Sequence, residues 1–156
     1  MLDLIIKNGS CFIDGNLKQQ DIGIENSKIV KIGKLKEDAR ETYDAENLLV
    51  LPGCIDTQTH FREPGSTDTE DLHSGSRAAI VGGITAVFEM PNTNPPTSNK
   101  KEFQRKLDLA RNRMYCNYAF YFGATADNAN DLSNLKDLEG CCGIKLFAGS
   151  STGNLL

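Results

Sequence analysis

The chain of 156 residues carries a net charge of −4, and 39% of its residues are hydrophobic and 24% charged. This acidic balance argues against a nucleic-acid or anionic-membrane partner, because both need a basic face. The apolar stretches are far shorter than the ~20 residues of a membrane span, and the N-terminus lacks the pattern of a signal peptide. The composition is typical of a globular protein, which we expect to be cytoplasmic.

The first third of the chain has the pattern of short strands separated by turns. Strands are predicted at residues 4–7 and 10–13, followed by turns at Asn8-Gly9 and Asp14-Gly15, because Asn, Asp and Gly tolerate positive φ. Polar and apolar residues then alternate over residues 21–32, interrupted by one further turn. These patterns predict a small antiparallel β-sheet unit.

After Pro52-Gly53 the pattern changes to alternating strands and helices. The predicted strands lead to Asp56 and cover residues 84–90, 116–122 and 142–147. The predicted helices cover residues 69–81, 131–138 and, capped by Ser98, about 98–113. Alternation of this kind predicts βα units on a parallel sheet, so the fold class is α/β.

The parallel part of the chain contains too few strands to close a barrel. Four βα strands would leave two unpaired edges and an unfilled core, which is a poor free-standing structure. The sequence is therefore expected to be cut off after its fourth βα strand rather than complete.

Three polar segments follow predicted strands one, two and four. They are DTQTHFREPG at residues 56–65, EMPNTNPPT at residues 89–97 and GIKLFAGSSTG at residues 143–153. Barrel enzymes place their active sites at the carboxyl ends of the strands. In sequence, order and spacing, these segments resemble those of dihydroorotases in the amidohydrolase superfamily.

The resemblance implies a fold and two domains. Residues 52–156 are expected to form the first half, strands one to four, of a TIM-type (β/α)8 metal-dependent hydrolase barrel. Residues 1–51 are expected to form the N-terminal part of the small β-sandwich domain that accompanies this barrel.

The resemblance also implies a zinc site. Dihydroorotases have Asp-x-His-x-His here, and two histidines one residue apart on a strand can bind one metal. This chain has His60 at the second position and Gln58 at the first, and an amide oxygen is a weaker zinc ligand than imidazole. The number of zinc ions, one or two, is therefore open. A core histidine satisfied by packing is the alternative for His60.

Lys145 matches the lysine that is carboxylated in related enzymes and bridges the metals. Burial on an apolar strand lowers a lysine's pKa and exposes a neutral amine, which can react with carbon dioxide. The alternative is a lysine whose ammonium group extends to solvent.

Two further residues match substrate contacts. Arg62 lies two residues after His60, so both are expected on the same strand face. It corresponds to the arginine that binds the substrate carboxylate, a role suited to its planar fork of donors. Asn92 corresponds to a second substrate contact, although an Asn between prolines can also shape its loop through bonds to the backbone. The catalytic acid/base Asp and further histidine ligands are expected beyond Leu156, so the chain alone is expected to be inactive.

By resemblance, the intact enzyme interconverts dihydroorotate and N-carbamoyl-aspartate, small molecules of pyrimidine synthesis, as a homo-oligomer. Two alternatives stay open. One is another cyclic amidohydrolase, an allantoinase or dihydropyrimidinase, which shares the barrel and the carboxylated lysine. The other is a non-catalytic subunit that scaffolds aspartate transcarbamoylase, which the loss of a histidine at Gln58 favours and the presence of Arg62, Asn92 and Lys145 opposes.

Overall fold

A computed structural model describes residues 1–152 and residue 155. The chain divides into two compact units, Met1–Pro52 and Gly53–Leu156. No helix among the described residues is both long enough and apolar enough to cross a membrane.

The first unit is a five-stranded mixed sheet with the order β3-β2-β1-β4, in which β5 also pairs with β1. The strands are β1 (Leu2–Ile13), β2 (Asn16–Glu25), β3 (Lys28–Gly33), β4 (Ala39–Asp44) and β5 (Leu49–Val50). The pairs β1–β2 and β2–β3 are antiparallel, as predicted, whereas β4 and β5 run parallel to β1. The described residues of this unit form one sheet, so the β-sandwich stays a prediction.

The predicted turn at Asn8-Gly9 is wrong. β1 runs without a break from Leu2 to Ile13, and its pairing with β2 shifts register between Ile6 and Gly9. Asn8 has a φ of 62°, which here produces a β-bulge in a continuous strand. A residue that tolerates positive φ suits a bulge as well as a turn, so the sequence pattern does not separate the two.

The other two turns are confirmed. Asp14 and Gly15 have φ of 51° and 78°, and Asn26 and Ser27 have φ of 51° and 60°. Two consecutive residues with positive φ form the two-residue loops whose twist matches that of an antiparallel hairpin. These loops join β1 to β2 and β2 to β3.

The second unit is a four-stranded parallel sheet with the sequential order β6-β7-β8-β9. Its elements are β6 (Cys54–Thr59), α1 (Leu72–Val81), β7 (Ile84–Glu89), α2 (Lys100–Ala110), β8 (Asn117–Gly123), a 3-10 helix (Ala129–Leu135) and β9 (Cys141–Lys145). This confirms the predicted βα units, and the arrangement fits part of a TIM-type barrel.

Capping side chains move the helix starts from the predicted positions. Asp71 caps α1 by accepting from the backbone N–H of Ser74, whose hydroxyl lies against the cap backbone in return, so the helix begins later than residue 69. Asn99 rather than Ser98 caps α2, with its side chain accepting from the N–H of Glu102. The third predicted helix, at residues 131–138, is the 3-10 helix that begins and ends earlier.

The core of the second unit lies between its helices and the sheet. The buried cluster contains Phe61, Leu72, Val87, Phe103, Ala110, Cys116, Phe120, Phe122 and Leu135. Phe103 from α2 meets Phe120 from β8 edge to face, with ring centroids 6.4 Å apart. Lys106, a charged residue of α2, is fully buried. Its Nζ lies 5.1 Å from the centroid of the Phe120 ring, so it is next to this cluster.

Candidate functional site at the carboxyl end of the parallel sheet

Sheet register brings the predicted site segments to one edge. Thr59, Glu89 and Phe120 lie opposite one another on β6, β7 and β8. Lys145, the last residue of β9, lies opposite Gly123, the last residue of β8. The loops after β6 and β7 therefore leave the sheet next to each other. Lys145 is the last residue of the fourth strand and lies at the same end of the sheet. Gly153, the last residue of the third segment, lies outside the described residues.

His60 and Asn92 meet at this edge. Nδ1 of His60 lies 2.9 Å from Oδ1 of Asn92, and both side chains are half-buried. Because an amide oxygen only accepts, the contact assigns the ring proton to Nδ1. In the neutral ring Nε2 then keeps its lone pair, which is the form of imidazole that binds a metal. The structure thus joins a predicted metal ligand to a predicted substrate contact.

Gln58 and Arg62 are both exposed. β6 ends at Thr59, and Arg62 has a φ of 58°, so the chain has turned before it reaches Arg62. The expectation that Arg62 shares a strand face with His60 is therefore wrong. The backbone N–H of Gln58 donates to Oδ1 of Asp56 at 2.9 Å. The side-chain amide of Gln58 takes no part in this hydrogen bond.

Lys145 is half-buried rather than enclosed. Its Nζ lies 5.1 Å from the ring centroid of Phe147, a distance at which an aromatic face stabilises an ammonium group. Its carboxylation stays a prediction.

The described residues do not complete a metal site. Among them, no group of three or more His, Cys, Asp and Glu side chains converges on one point. A catalytic zinc takes three protein ligands, and His60 is the single imidazole among the predicted ones. His60 and a carboxylated Lys145 suit zinc individually, while the neutral oxygen of Gln58 suits it poorly.

Glu89 is the first residue of the second polar segment, and the sequence alone assigned it no role. It is 1% exposed, and its carboxylate accepts from the backbone N–H of Phe61 at 3.0 Å and 3.1 Å and from Oγ1 of Thr59 at 3.1 Å. Nζ of Lys106 lies 3.4 Å from the same carboxylate and donates to the carbonyl of Met90 at 2.9 Å. Burial raises the pKa of Glu89, and the charge of Lys106 is the main opposing influence.

Sequence reasoning missed Lys106, which lies in the charged helix Lys100–Ala110. The signal was its spacing, because Phe103, Lys106 and Ala110 fall at positions i, i+3 and i+7 of one buried helix face. Burial lowers the pKa of Lys106, and Glu89 opposes this shift.

Glu63 anchors the loop after β6 to the start of α1 and to the turn that follows α2. It is 7% exposed, and its two oxygens accept from Nη1 and Nη2 of Arg113 at 2.8 Å and 3.1 Å. The carboxylate also accepts from the first backbone N–H of α1, at Leu72, at 2.9 Å. One residue further, the carbonyl of Pro64 accepts from the N–H of Asn94 at 2.9 Å, which ties this loop to the loop after β7.

Known protein families and curated proteins include relatives of this chain. Residues 49–143 match the Amidohydrolase family. A dihydroorotase of Methanosarcina acetivorans is 40% identical over 99% of this chain and 33% of its own length. An allantoinase of Salmonella choleraesuis is 37% identical over 95% of this chain and 33% of its own length.

The fold has relatives among solved structures. An L-hydantoinase (dihydropyrimidinase) from Arthrobacter aurescens superposes with a TM-score of 0.90 at 28% identity, over 99% of this chain and 35% of that one. The chain spans about a third of the length of the curated relatives it matches.

Proposed function

Since the chain belongs to the amidohydrolase family, we propose that it supplies residues of a dihydroorotase active site, which reversibly hydrolyses the cyclic amide of dihydroorotate to N-carbamoyl-aspartate. The observation that supports this most directly is the contact between His60 and Asn92. It places a metal-ligand candidate against a substrate-contact candidate, on two loops that the dihydroorotase resemblance singles out.

Arg62 supports the choice of dihydroorotate among the cyclic amides. It is exposed and lies two residues after His60. The salt bridges among the described residues do not include it, so its guanidinium is available to a ligand. A guanidinium fork matches a carboxylate in a bidentate geometry. A carboxylate-bearing substrate therefore gives Arg62 a role that an uncharged cyclic amide does not.

Zinc is the proposed cofactor, with Nε2 of His60 as one ligand and a carboxylated Lys145 as another. A bound zinc supplies a Lewis acid and brings the pKa of its water to ~7. The residues of this chain have the tasks of orientation and binding: Asn92 fixes the ring of His60, and Arg62 binds the substrate carboxylate.

The decisive experiment is a chimaera in which this chain replaces the matching first third of the Methanosarcina acetivorans dihydroorotase. We expect turnover of dihydroorotate that is lost when a chelator removes the metal. Arg62→Met should raise KM for dihydroorotate roughly tenfold or more, because it removes a charge-assisted hydrogen bond. Arg77→Met is the matched control, since Arg77 is an exposed arginine on α1.

The same assay tests the alternatives. Allantoin and a hydantoin are offered beside dihydroorotate, because an allantoinase and a hydantoinase are among the relatives. Turnover of either one without dihydroorotate would replace the proposal with a different cyclic amidohydrolase. A folded chimaera that loads metal and turns over none of the three would favour the non-catalytic subunit, which the weak ligand Gln58 already suggests.

A further inference from the structure

The carboxylate of Glu89 holds the chain on both sides of His60. Oε2 accepts from Oγ1 of Thr59, the residue before His60, at 3.1 Å. Both carboxylate oxygens accept from the backbone N–H of Phe61, the residue after it, at 3.0 Å and 3.1 Å. The backbone at His60 therefore cannot shift without breaking one of these bonds.

Lys106 connects this carboxylate to the loop that contains Asn92. Its Nζ reaches Oε1 of Glu89 at 3.4 Å and donates to the carbonyl of Met90 at 2.9 Å. Met90 begins the loop two residues before Asn92, and its own N–H donates to the carbonyl of Thr59 at 2.9 Å. One cation from α2 thus fixes the starts of both loops relative to each other.

The pair is dry, because the side chains of Lys106 and Glu89 are 0% and 1% exposed. A buried ion pair of this kind is seldom more stabilising than apolar side chains of the same volume, since both charges lose their hydration. Its hydrogen bonds, however, are directional and strong in a low dielectric. Stability of the core alone therefore does not account for the pair, whereas precise placement of the two loops does.

We propose that Glu89 and Lys106 are a positioning pair that holds His60 against Asn92, so that the ring proton stays on Nδ1 and Nε2 stays free. This deepens the proposed function and rests on it for its purpose, because a free Nε2 matters for a ring that binds a metal. The geometric claim itself needs neither metal nor substrate.

The test is NMR of the full chain labelled with ¹⁵N-histidine. The chain has two histidines, and His73→Gln assigns the resonances of the other. We expect neutral His60 to show a protonated Nδ1 and an unprotonated Nε2. Asn92→Ala is the positive control, because it removes the acceptor of the Nδ1 proton.

Glu89→Gln and Lys106→Met should each lower the ratio of the Nδ1–H to the Nε2–H tautomer of His60 by roughly fivefold, the equivalent of one ordinary hydrogen bond. Phe103→Leu is the matched control, since Phe103 is buried on the same helix and makes no polar contact with either loop. It should lower the melting temperature and leave the tautomer ratio unchanged.

A single variant with one unpaired buried charge can fail to fold, so the double variant E89Q/K106M completes the set. It keeps the side-chain volumes and removes both charges, but Met90 loses its donor. We expect a folded chain with a lowered tautomer ratio. A wild-type ratio in the double variant, or an equal change in Phe103→Leu, would overturn the positioning role.

The outcome is independent of the chimaera assay. An inactive chimaera with the expected tautomer shifts would reject the dihydroorotase and keep the positioning pair. An active chimaera, combined with a His60 tautomer ratio that does not change in the Glu89 and Lys106 variants of the chain, would keep the dihydroorotase and reject the positioning pair.

Discussion

The N-terminal sheet and the parallel sheet each use a carboxylate to fix a neighbouring stretch of backbone. In the first, Asp21 accepts from the N–H groups of Leu35 and Asn8, both at 3.0 Å. In the second, Glu89 accepts from the N–H of Phe61 and from a threonine hydroxyl. The two carboxylates perform the same local task in different surroundings.

The carboxylates of Asp21 and Glu89 differ in how deeply they are buried. Asp21 is half-buried, and the N–H groups of Leu35 and Asn8 hold its pKa below the ordinary value. Glu89 is enclosed, so burial raises its pKa despite its hydrogen bonds and the cation of Lys106. Solvent can support an anion that holds backbone at the surface, but the same device in the interior requires a partner of opposite charge.

The largest expected effect comes from removing that partner. Lys106→Met leaves Glu89 as an uncompensated buried charge, and we expect the free energy of unfolding to fall by about 3–5 kcal/mol. Urea denaturation measures the change. Lys101→Met, an exposed lysine on the same helix, should stay within about 0.5 kcal/mol of the wild type. A fall below about 1 kcal/mol for Lys106→Met would show that the interior tolerates the lone carboxylate, against the comparison with Asp21.

An intermediate effect is expected at Glu63, which pairs with the partly exposed Arg113. Glu63→Gln keeps an acceptor for the N–H of Leu72 but removes the charge from the bidentate pair, and should cost about 1–3 kcal/mol of unfolding free energy. Glu102→Gln is the control, since Glu102 pairs with the exposed Arg105 and should change stability by less than about 0.5 kcal/mol. Equal losses of unfolding free energy in the two variants would mean that burial does not determine how much each ion pair contributes to stability.

The smallest effect is expected at Asp21. Its folded pKa lies below the ordinary 3.8, so its stabilising contribution is present above that value and is lost as the pH falls through the folded pKa. Asp21→Asn should cost about 1 kcal/mol at neutral pH, a figure reduced for solvent exposure. Urea unfolding at neutral pH and in acid measures this difference, which should vanish in acid.

The control for this pH dependence is Asp14→Asn, in an exposed turn. Its stability difference from the wild type should not follow the same course. A loss at Asp21→Asn that persists unchanged in acid would assign the effect to shape rather than to charge.

The sequence predicted the antiparallel strands and the βα alternation because hydrophobic periodicity is a local signal, but it did not predict the parallel strands β4 and β5. It also placed His60 and Asn92 at the same end of the sheet, although it did not predict that they touch. It failed where two local solutions are equivalent: Ser98 and Asn99 are both good helix caps, and Asn8 suits a bulge as well as a turn. Arg62 was misplaced because the end of β6 has no local marker.

Lys106 shows a different limit. In a helix rich in charge, a lysine is expected to face solvent, and only its partner on another element explains its burial. That partner, Glu89, is 17 residues away in sequence. Pattern reading assigns each residue from its own neighbours, so an ion pair that joins a helix to a strand end becomes visible only in three dimensions.

The contacts around His60 have a consequence for folding kinetics. His60 and Asn92 are 32 residues apart, and Thr59 and Glu89 are 30 apart. The bonds of Lys106 span 17 and 16 residues. All of these contacts join residues far apart in sequence, so loops must close before any of the bonds can form, and parallel pairing of this kind is slow. We therefore expect this corner to form late in folding, after α1 and α2 have formed from their local contacts.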